Sequence, residues 1–273
     1  MPQRNEKAKG IVMKKFLGMA LILGTAVAGI FCGCGKTDKG NTFTVGFDAD
    51  FPPYGYMENG EYKGFDLDLA REVCKRRNWT FVAKPINWDA KDMELNSGSI
   101  DCIWNGFTIN GREAGYEWSE PYVDNSQVVL VQKGSAVKKL ADLAGKTVAV
   151  QTDTPVQKAL SAGGAKAELG ATFRKMVVTP NYNNAVMELE AGAVDAVAMD
   201  IGVAKQKMNA APGKFEILSE SVLTEKYGIG FKKGNAALRD QVQETLKQMV
   251  ADGTAAQISA RYFEGQNVLI LQP

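Results

Sequence analysis

Between residues 42 and 262 the apolar positions fall into short runs that switch between the two periods of regular structure. Residues 42–47 (TFTVGF) alternate as a half-buried strand does. In 65–76, Phe65, Leu69 and Val73 recur at i, i+4 and i+8, which predicts a helix with one buried face. The intervening 51–64 (FPPYGYMENGEYKG) is dense in turn formers. Strands are predicted at 80–85 and 100–104, with a short helix at 90–96 between them. A second block repeats the rhythm: strand 147–150, helix 155–162, strand 176–178, helix 184–191, strand 196–199 and helix 201–208. A strand at 229–231 and helices at 236–251 and 254–262 close the chain. Such alternation predicts an α/β fold with mostly parallel sheets.

One internal echo refines this. Residues 97–103 (SGSIDCI) match 191–197 (AGAVDAV) position by position in type. In each, a helix ends at glycine and an apolar strand begins just after. The echo predicts two similar α/β lobes rather than one continuous sheet. Ligands of open α/β sheets gather at the carboxyl ends of strands. After the first echo strand come Gly106, which permits close backbone approach, Thr108 with its hydroxyl, and Arg112 with a planar fork suited to a carboxylate. After the second comes Asp200, a carboxylate able to hold an ammonium group. Together they fit a zwitterion; separately, Arg112 reads as a solvated charge and Asp200 as a helix N-cap. Trp104, at the end of the first echo strand, reads as core.

Composition narrows the chemistry. The 273 residues carry 32 basic and 31 acidic side chains, so nothing in the balance suits a nucleic-acid backbone. Histidine is absent, which removes Ser-His-Asp and Cys-His nucleophiles and every His-ligated zinc site. No metal or cofactor is implied. Cys74 and Cys102 lie outside any CxxC pair and are either a disulfide or two buried thiols.

The start of the chain reads as an address. Lys14 and Lys15 precede an uncharged run at 16–35 that ends Phe31-Cys32-Gly33-Cys34-Gly35. Basic residues, an apolar stretch and a small-residue end make a secretory leader over 1–33, with 1–12 an upstream extension if Met13 is the true start. The alternative is a single membrane-spanning helix. The end resembles a bacterial lipoprotein cleavage box. Gly33 makes Cys34, rather than Cys32, the residue to bear lipid, and 34–40 becomes a short tether. Removing 1–33 leaves 27 basic against 30 acidic groups, a net charge of −3.

An ordered set of motifs then carries a family resemblance. Phe43-Thr44-Val45-Gly46-Phe47-Asp48, Phe51-Pro52-Pro53-Tyr54 and Gly64-Phe65-Asp66-Leu67-Asp68-Leu69-Ala70 come first. Trp88, Ser97-Gly98, Thr108-Ile109 with Arg112, and Trp118-Ser119 with Pro121-Tyr122 follow. Asp142-Leu143 with Gly145-Lys146 and the run from Tyr227 to Asn235 complete it. Over about 42–262 the chain resembles the extracellular solute-binding proteins of polar amino acid ABC importers. The resemblance implies a two-lobed, type II periplasmic-binding-protein fold with two chain crossovers. One lobe takes 41–125 plus 227–273 and the other 126–226. It further implies that Arg112 pairs with the ligand α-carboxylate beside Gly106 and Thr108, and that Asp200 takes the α-ammonium. Asp48, Phe51 and Tyr54 then meet the ligand side chain, and Trp88 stacks on it.

The sequence departs from the family at two places. Asn110-Gly111 makes a turn one residue tighter before Arg112. The second-lobe loop reads Gln151-Thr152-Asp153-Thr154-Pro155, where Thr154 keeps a hydroxyl but Pro155 has no amide proton for a carboxylate. The expected function is capture of a polar or cationic L-amino acid outside the membrane and delivery to an ABC permease, by a monomer held through its lipid. Rival readings are a dehydratase-like enzyme on the same scaffold and a sensory module.

Overall fold

The computed structural model describes residues 41–273. The leader at 1–33 and the tether with Cys34 lie outside the described residues. No helix among the described residues is long and apolar enough to cross a membrane.

The chain opens with β1 (Thr42–Phe47), a small meander β2 (Asp50–Phe51), β3 (Gly55–Glu58) and β4 (Glu61–Lys63), and helix α1 (Phe65–Arg77). Strand β5 (Thr80–Pro85), a 3-10 turn at Trp88–Ala90, α2 (Lys91–Asn96), β6 (Cys102–Thr108), β7 (Glu117–Trp118) and β8 (Val123–Gln132) follow. The middle of the chain is β9 (Thr147–Gln151), α3 (Pro155–Leu160), α4 (Ala167–Ala171), β10 (Lys175–Thr179), α5 (Tyr182–Glu190), β11 (Ala196–Asp200), α6 (Ile201–Ala210) and β12 (Phe215–Ile217). Strand β13 (Leu223–Phe231) then leads into α7 (Ala236–Ala251) and α8 (Thr254–Tyr262).

The echo is a true structural repeat. In one half β1 lies between β5 and β6, and in the other β9 lies between β10 and β11, all four pairings parallel. The glycines of the two echoes, Gly98 and Gly192, both take positive φ as their helices end. The aspartates then do one job twice. Asp101 gives its N–H to the Thr44 carbonyl (2.8 Å) and takes the Thr44 N–H on its carboxylate (2.7 Å). Asp195 does the same with Thr147, at 2.8 and 2.7 Å. Each carboxylate thereby pins the central strand of its half.

The halves share one sheet path rather than keeping two separate sheets, in the order β10-β9-β11-β8-β13-β6-β1-β5. The reason is the length of the two crossing strands, ten residues in β8 and nine in β13. They pair antiparallel from Leu223↔Gln127 to Tyr227↔Val123, while β8 also pairs with β11 and β13 with β6. The fold is therefore two-lobed α/β, curled through a two-stranded connection. Val45, Phe47, Leu69, Val73, Leu246 and Ile258 are core of the first half, where α1, α7 and α8 meet. Val129, Val148, Val150, Val156, Ala196 and Ala198 form a second cluster. Cys74 and Cys102 are free, buried thiols, and burial pushes Cys74 up to about 12.

Helix α1 shows how sequence positions the cleft. Its first turn carries Asp66 and Asp68 and its last carries Lys75, Arg76 and Arg77, a charge order that suits the helix dipole. Phe65 and Asp66 give their N–H groups to the carbonyls of Pro53 and Tyr54, at 2.8 and 3.1 Å. Gly64 is required there: its φ is +142°, and a Cβ would lie 2.1 Å from the Tyr54 carbonyl oxygen.

Asp66 does more than oppose the dipole. Its buried carboxylate takes the Gly106 N–H at 2.6 Å and the Tyr122 hydroxyl at 2.8 Å, while Oδ1 has no partner. Burial outweighs those hydrogen bonds and lifts the group to about 7. A carboxyl raised on folding contributes stability that is full below its unfolded range and lost as pH rises through the folded value. Urea unfolding between pH 5 and 8 is expected to show falling stability in the native protein. Asp66→Asn should fall less steeply, by up to roughly 1.4 kcal/mol per pH unit. Parallel curves for the two proteins would take Asp66 out of this dependence.

Candidate ligand-binding cleft

The cleft lies where strand ends from both halves meet the crossing strands. In β8 and β13 the residues alternate between faces, so Asn125, Gln127, Glu225 and Tyr227 are buried while Asp124, Thr224 and Lys226 are exposed. The buried face is polar, and Asp200 at the end of β11 sits against it. Asp200 Oδ1 takes hydrogen bonds from Asn125 Nδ2 (2.8 Å), Gln127 Nε2 (2.9 Å) and the Tyr227 hydroxyl. Its Oδ2 takes one from the Tyr182 hydroxyl at 3.0 Å. The same two amide nitrogens reach Glu225 Oε1, at 2.6 and 2.7 Å. Asp200 occupies an N-cap position before α6, yet its side chain makes no cap hydrogen bond. Burial raises its pKa against four donors that lower it.

An aromatic wall stands beside Asp200. The Tyr54 ring meets Tyr227 edge-on at 5.3 Å, and Phe51 lies 5.7 Å from Tyr54 and 5.9 Å from Tyr182. Gly106 takes φ +55°, and a Cβ there would come within 2.9 Å of Phe51 and 3.1 Å of Tyr227. Only glycine fits that turn. Phe51, Tyr54, Gly106 and Asp200 are thus gathered around Tyr182, which the sequence did not single out, and Tyr227, which it marked only as the start of a family motif.

Arg112 and Trp88 belong to the other end. The Arg112 guanidinium lies over the Phe107 ring at 5.2 Å and donates to the Thr108 carbonyl (3.4 Å) and to the Asp153 carbonyl of the other half (2.6 Å). These use two of its five N–H groups. Trp88 packs edge-on against Phe107 at 5.5 Å. Among the described residues no hydrogen bond or ion pair joins Arg112 to Asp200. Thr108 ends β6, buried, and faces Tyr227 across the strand pair. The Thr154 hydroxyl is taken up locally. It donates to the Gln151 carbonyl (2.8 Å) and accepts the Gln157 N–H (3.3 Å), capping α3 with Pro155 in its first turn.

Asp48 bridges the halves. Its N–H goes to Asn105 Oδ1 (2.9 Å), and its carboxylate takes the Asp50 N–H (2.8 Å) and, from β9, Gln151 Nε2 (2.7 Å). A recess of about 590 Å³ beside it is lined by Asp50, Trp88, Asp89, Glu94 and Asn181 among others. Its lining holds four acids and no Lys or Arg. Further side chains close the halves against each other. Asn181 Nδ2 donates to Asp50 at 2.9 Å, and the Lys91 ammonium meets the Asp153 carboxylate. Lys91 is 1% exposed and lies 5.3 Å from the Trp88 ring centroid, so its charge is buried toward a partner in the other half. Asp153, in the left-handed region at φ +50°, presents both its carbonyl and its carboxylate to that half. Its place in the altered 151–155 loop was the only trace of this in sequence.

Comparison with known proteins bears on the family and the fold. A family model described as bacterial extracellular solute-binding proteins, family 3, matches residues 43–265. A protein described as "Probable histidine-binding protein" in Neisseria gonorrhoeae is 30% identical over 266 residues, covering 92% of this chain and 96% of its own. The ABC transporter arginine-binding protein 1 of Escherichia coli is 28% identical, covering 89% and 98%. The arginine-, lysine-, histidine-binding protein ArtJ of Geobacillus stearothermophilus superposes with a TM-score of 0.74 at 34% identity, covering 82% and 96%.

Asp153→Ala tests the link between the halves. It leaves a buried ammonium without its carboxylate, at a cost of roughly 1–3 kcal/mol. The ratio of open to closed protein should rise about five- to 150-fold. Small-angle X-ray scattering without ligand is expected to give a larger radius of gyration than the native protein. An unchanged radius would mean that Lys91 and Asp153 do not hold the halves together.

Proposed function

The chain belongs to the bacterial extracellular solute-binding proteins of family 3, and we propose that it captures a cationic L-amino acid outside the membrane and hands it to the permease of an ABC importer. In this reading the jaws are residues 41–125 with 227–273, and 126–226, joined by β8 and β13. Arg112 and Thr108 hold the α-carboxylate and Asp200 holds the α-ammonium. Phe51 and Tyr54 form the wall beside the ligand, with Trp88 stacking on its shaft and Asp48 meeting its distal group. Gly106 leaves room for the backbone end. The Thr154 hydroxyl caps α3, so capture of the carboxylate rests on Arg112. Cys34 carries the lipid that keeps the monomer beside its permease.

The observation that carries the choice of a cationic side chain is the recess of about 590 Å³ lined by Asp48, Asp50, Asp89 and Glu94 with Trp88 at its side. A carboxylate side chain there would face Asp48, Asp50 and Asp89 with no basic lining residue (Glu94 is paired to Lys84 at 2.7 Å), whereas a guanidinium or ammonium gains charge pairing. The names of the similar proteins include histidine, arginine and lysine among the ligands, and cystine and glutamine as well.

Binding couples to movement because the clamps sit on different jaws. A ligand held by Arg112 and Asp200 at once favours the closed arrangement by its extra contacts there, which is a hinge closure of the kind two-domain binders use. The chemistry is holding rather than turnover. Without histidine, proton transfer would need Asp, Glu or Lys, and this reading uses Asp48 and Asp200 to hold ligand charges. A bound amino acid recovered intact after long incubation is the outcome expected.

The test is a thermal-shift screen of the protein from residue 34 onward against the twenty amino acids. A ligand at one hundred times its dissociation constant adds about 2.7 kcal/mol, several degrees in melting temperature. Arginine, lysine or histidine should give the largest shifts. Arg112→Ala should cost roughly 2–5 kcal/mol, about thirtyfold to several thousandfold in affinity. Arg112→Lys should recover only part of that, since an ammonium cannot grip both carboxylate oxygens as the fork does. Undiminished affinity in Arg112→Ala would remove Arg112 from the site.

A further inference from the structure

The floor of the cleft holds two carboxyl groups where the proposed ligand brings one ammonium. Asp200 and Glu225 are both buried, and the same two amide nitrogens, Asn125 Nδ2 and Gln127 Nε2, donate to both. Each amide has spent its two hydrogens in doing so. What remains unpartnered and buried is acceptor only: Asn125 Oδ1, Gln127 Oε1 and Glu225 Oε2. No ion pair among the described residues includes either acid. A floor whose amide donors are spent and that carries two buried carboxyl groups calls for a proton or a cation.

The two acids are not equivalent. Asp200 has four donors across both oxygens. Glu225 takes both amide donors on Oε1, the Thr108 hydroxyl beside it also favours the anion, and Oε2 has no partner. A proton on Glu225 Oε2 therefore displaces no donor, whereas Asp200 is better held as the anion.

We propose that Glu225 is the second carboxyl group of the ammonium subsite, that in the ligand-free protein it keeps a proton on Oε2, and that capture of the ligand's ammonium drives that proton out. This rests on the reading that Asp200 takes the ammonium. The surroundings agree. Facing Glu225 are Asp200, the phenols of Tyr182, Tyr227 and Tyr54, and the neutral side chains of Asn125, Gln127 and Thr108. On the outer side of β8 and β13 the nearby charges are Asp124 and Lys226, both exposed, and exposed Lys205 of α6 lines a recess shared with Asn125. None of the three is ion-paired or hydrogen-bonded to Glu225. Burial and the Asp200 charge hold the Glu225 carboxyl up at about 7. An ammonium arriving beside Asp200 reverses the second cause, since a nearby cation favours the ionised acid.

The sign follows. Below about pH 7 the ligand must displace a proton, so affinity rises with pH through 6 to 7, by up to about tenfold per unit, and levels off above. The released proton passes to buffer. L-Arginine is the probe, because its guanidinium stays charged throughout and its α-amino group titrates above this window.

Calorimetric titration with L-arginine at pH 6.2, in phosphate and in a buffer of much larger ionisation heat, measures the release (the pH is about one unit below the Glu225 value). The expected heats differ between buffers by close to one proton per ligand. Glu225→Gln, which imitates the protonated acid, should bind with the same heat in both buffers and lose the rise in affinity with pH. Binding in the native protein with buffer-independent heat overturns the inference while leaving amino-acid capture standing. Absence of any binding heat strikes the functional reading for this ligand instead. The proton is then decided without ligand, by carbon NMR titration of the glutamate carboxyl groups. A Glu225 resonance, identified by its loss in Glu225→Gln, that titrates near 7 supports the inference, and one titrating in the ordinary carboxylate range overturns it.

Discussion

The interaction on which most of the cleft depends is the set of hydrogen bonds converging on the Asp200 carboxylate. Four donors reach it from three elements: Asn125 and Gln127 from β8, Tyr227 from β13 and Tyr182 from α5. A carboxylate buried this deeply is tolerated only when its lone pairs are met, and meeting them fixes where those elements lie. Tyr227 in turn fills the space under Gly106 and supports Tyr54, so the aromatic wall is set by the same demand. The crossing strands are held to the second half by β8–β11 pairing and by this side-chain network together. A hinge whose inner face is tied to a strand end of one jaw bends as a unit with that jaw.

The repeat explains why Arg112 and Asp200 stand where they do. In each half the echo aspartate fastens the central strand and the echo strand runs beside it. The first half continues past its strand into the Gly106 turn and Arg112, and the second stops at Asp200 and begins a helix. One architecture thus presents a cation on one side and an anion on the other. The difference arises from the residues following the repeat and not from the repeat itself.

Much of this was legible in the chain. Strands 42–47 and 80–85 and helices 236–251 and 254–262 follow the sequence pattern to the residue. Strand β8 left no such pattern. Its buried face starts with Asn125 and Gln127, which read as surface until Asp200 and Glu225 are known to face them. Asp66 misled in the same way. A first-turn acid satisfies the helix dipole, and nothing nearby in sequence announces that its carboxylate turns inward to Gly106, 40 residues away. Buried polar groups answer to partners distant in the chain, so their roles were hidden where apolar periodicity was plain. Lys91, a lysine in a short amphipathic helix, was hidden for that reason too.

The contacts between the halves divide into two kinds, and the division bears on how ligand controls closure. Gln151 to Asp48 and Asn181 to Asp50 are hydrogen bonds between groups that water would serve nearly as well after opening, so each contributes little net. The Lys91 ammonium differs, because its side chain is 1% exposed with the halves together and its carboxylate comes from the other half. Opening replaces that partner by water, beside the Trp88 carbonyl at 3.3 Å and the indole ring. This asymmetry favours the closed form even before ligand arrives, and Arg112, through the Asp153 carbonyl, adds to it. The ligand then has to supply only the remainder of the closing free energy. A binder poised in this way spends less of its ligand's interaction energy on moving the jaws, which leaves more of it as affinity.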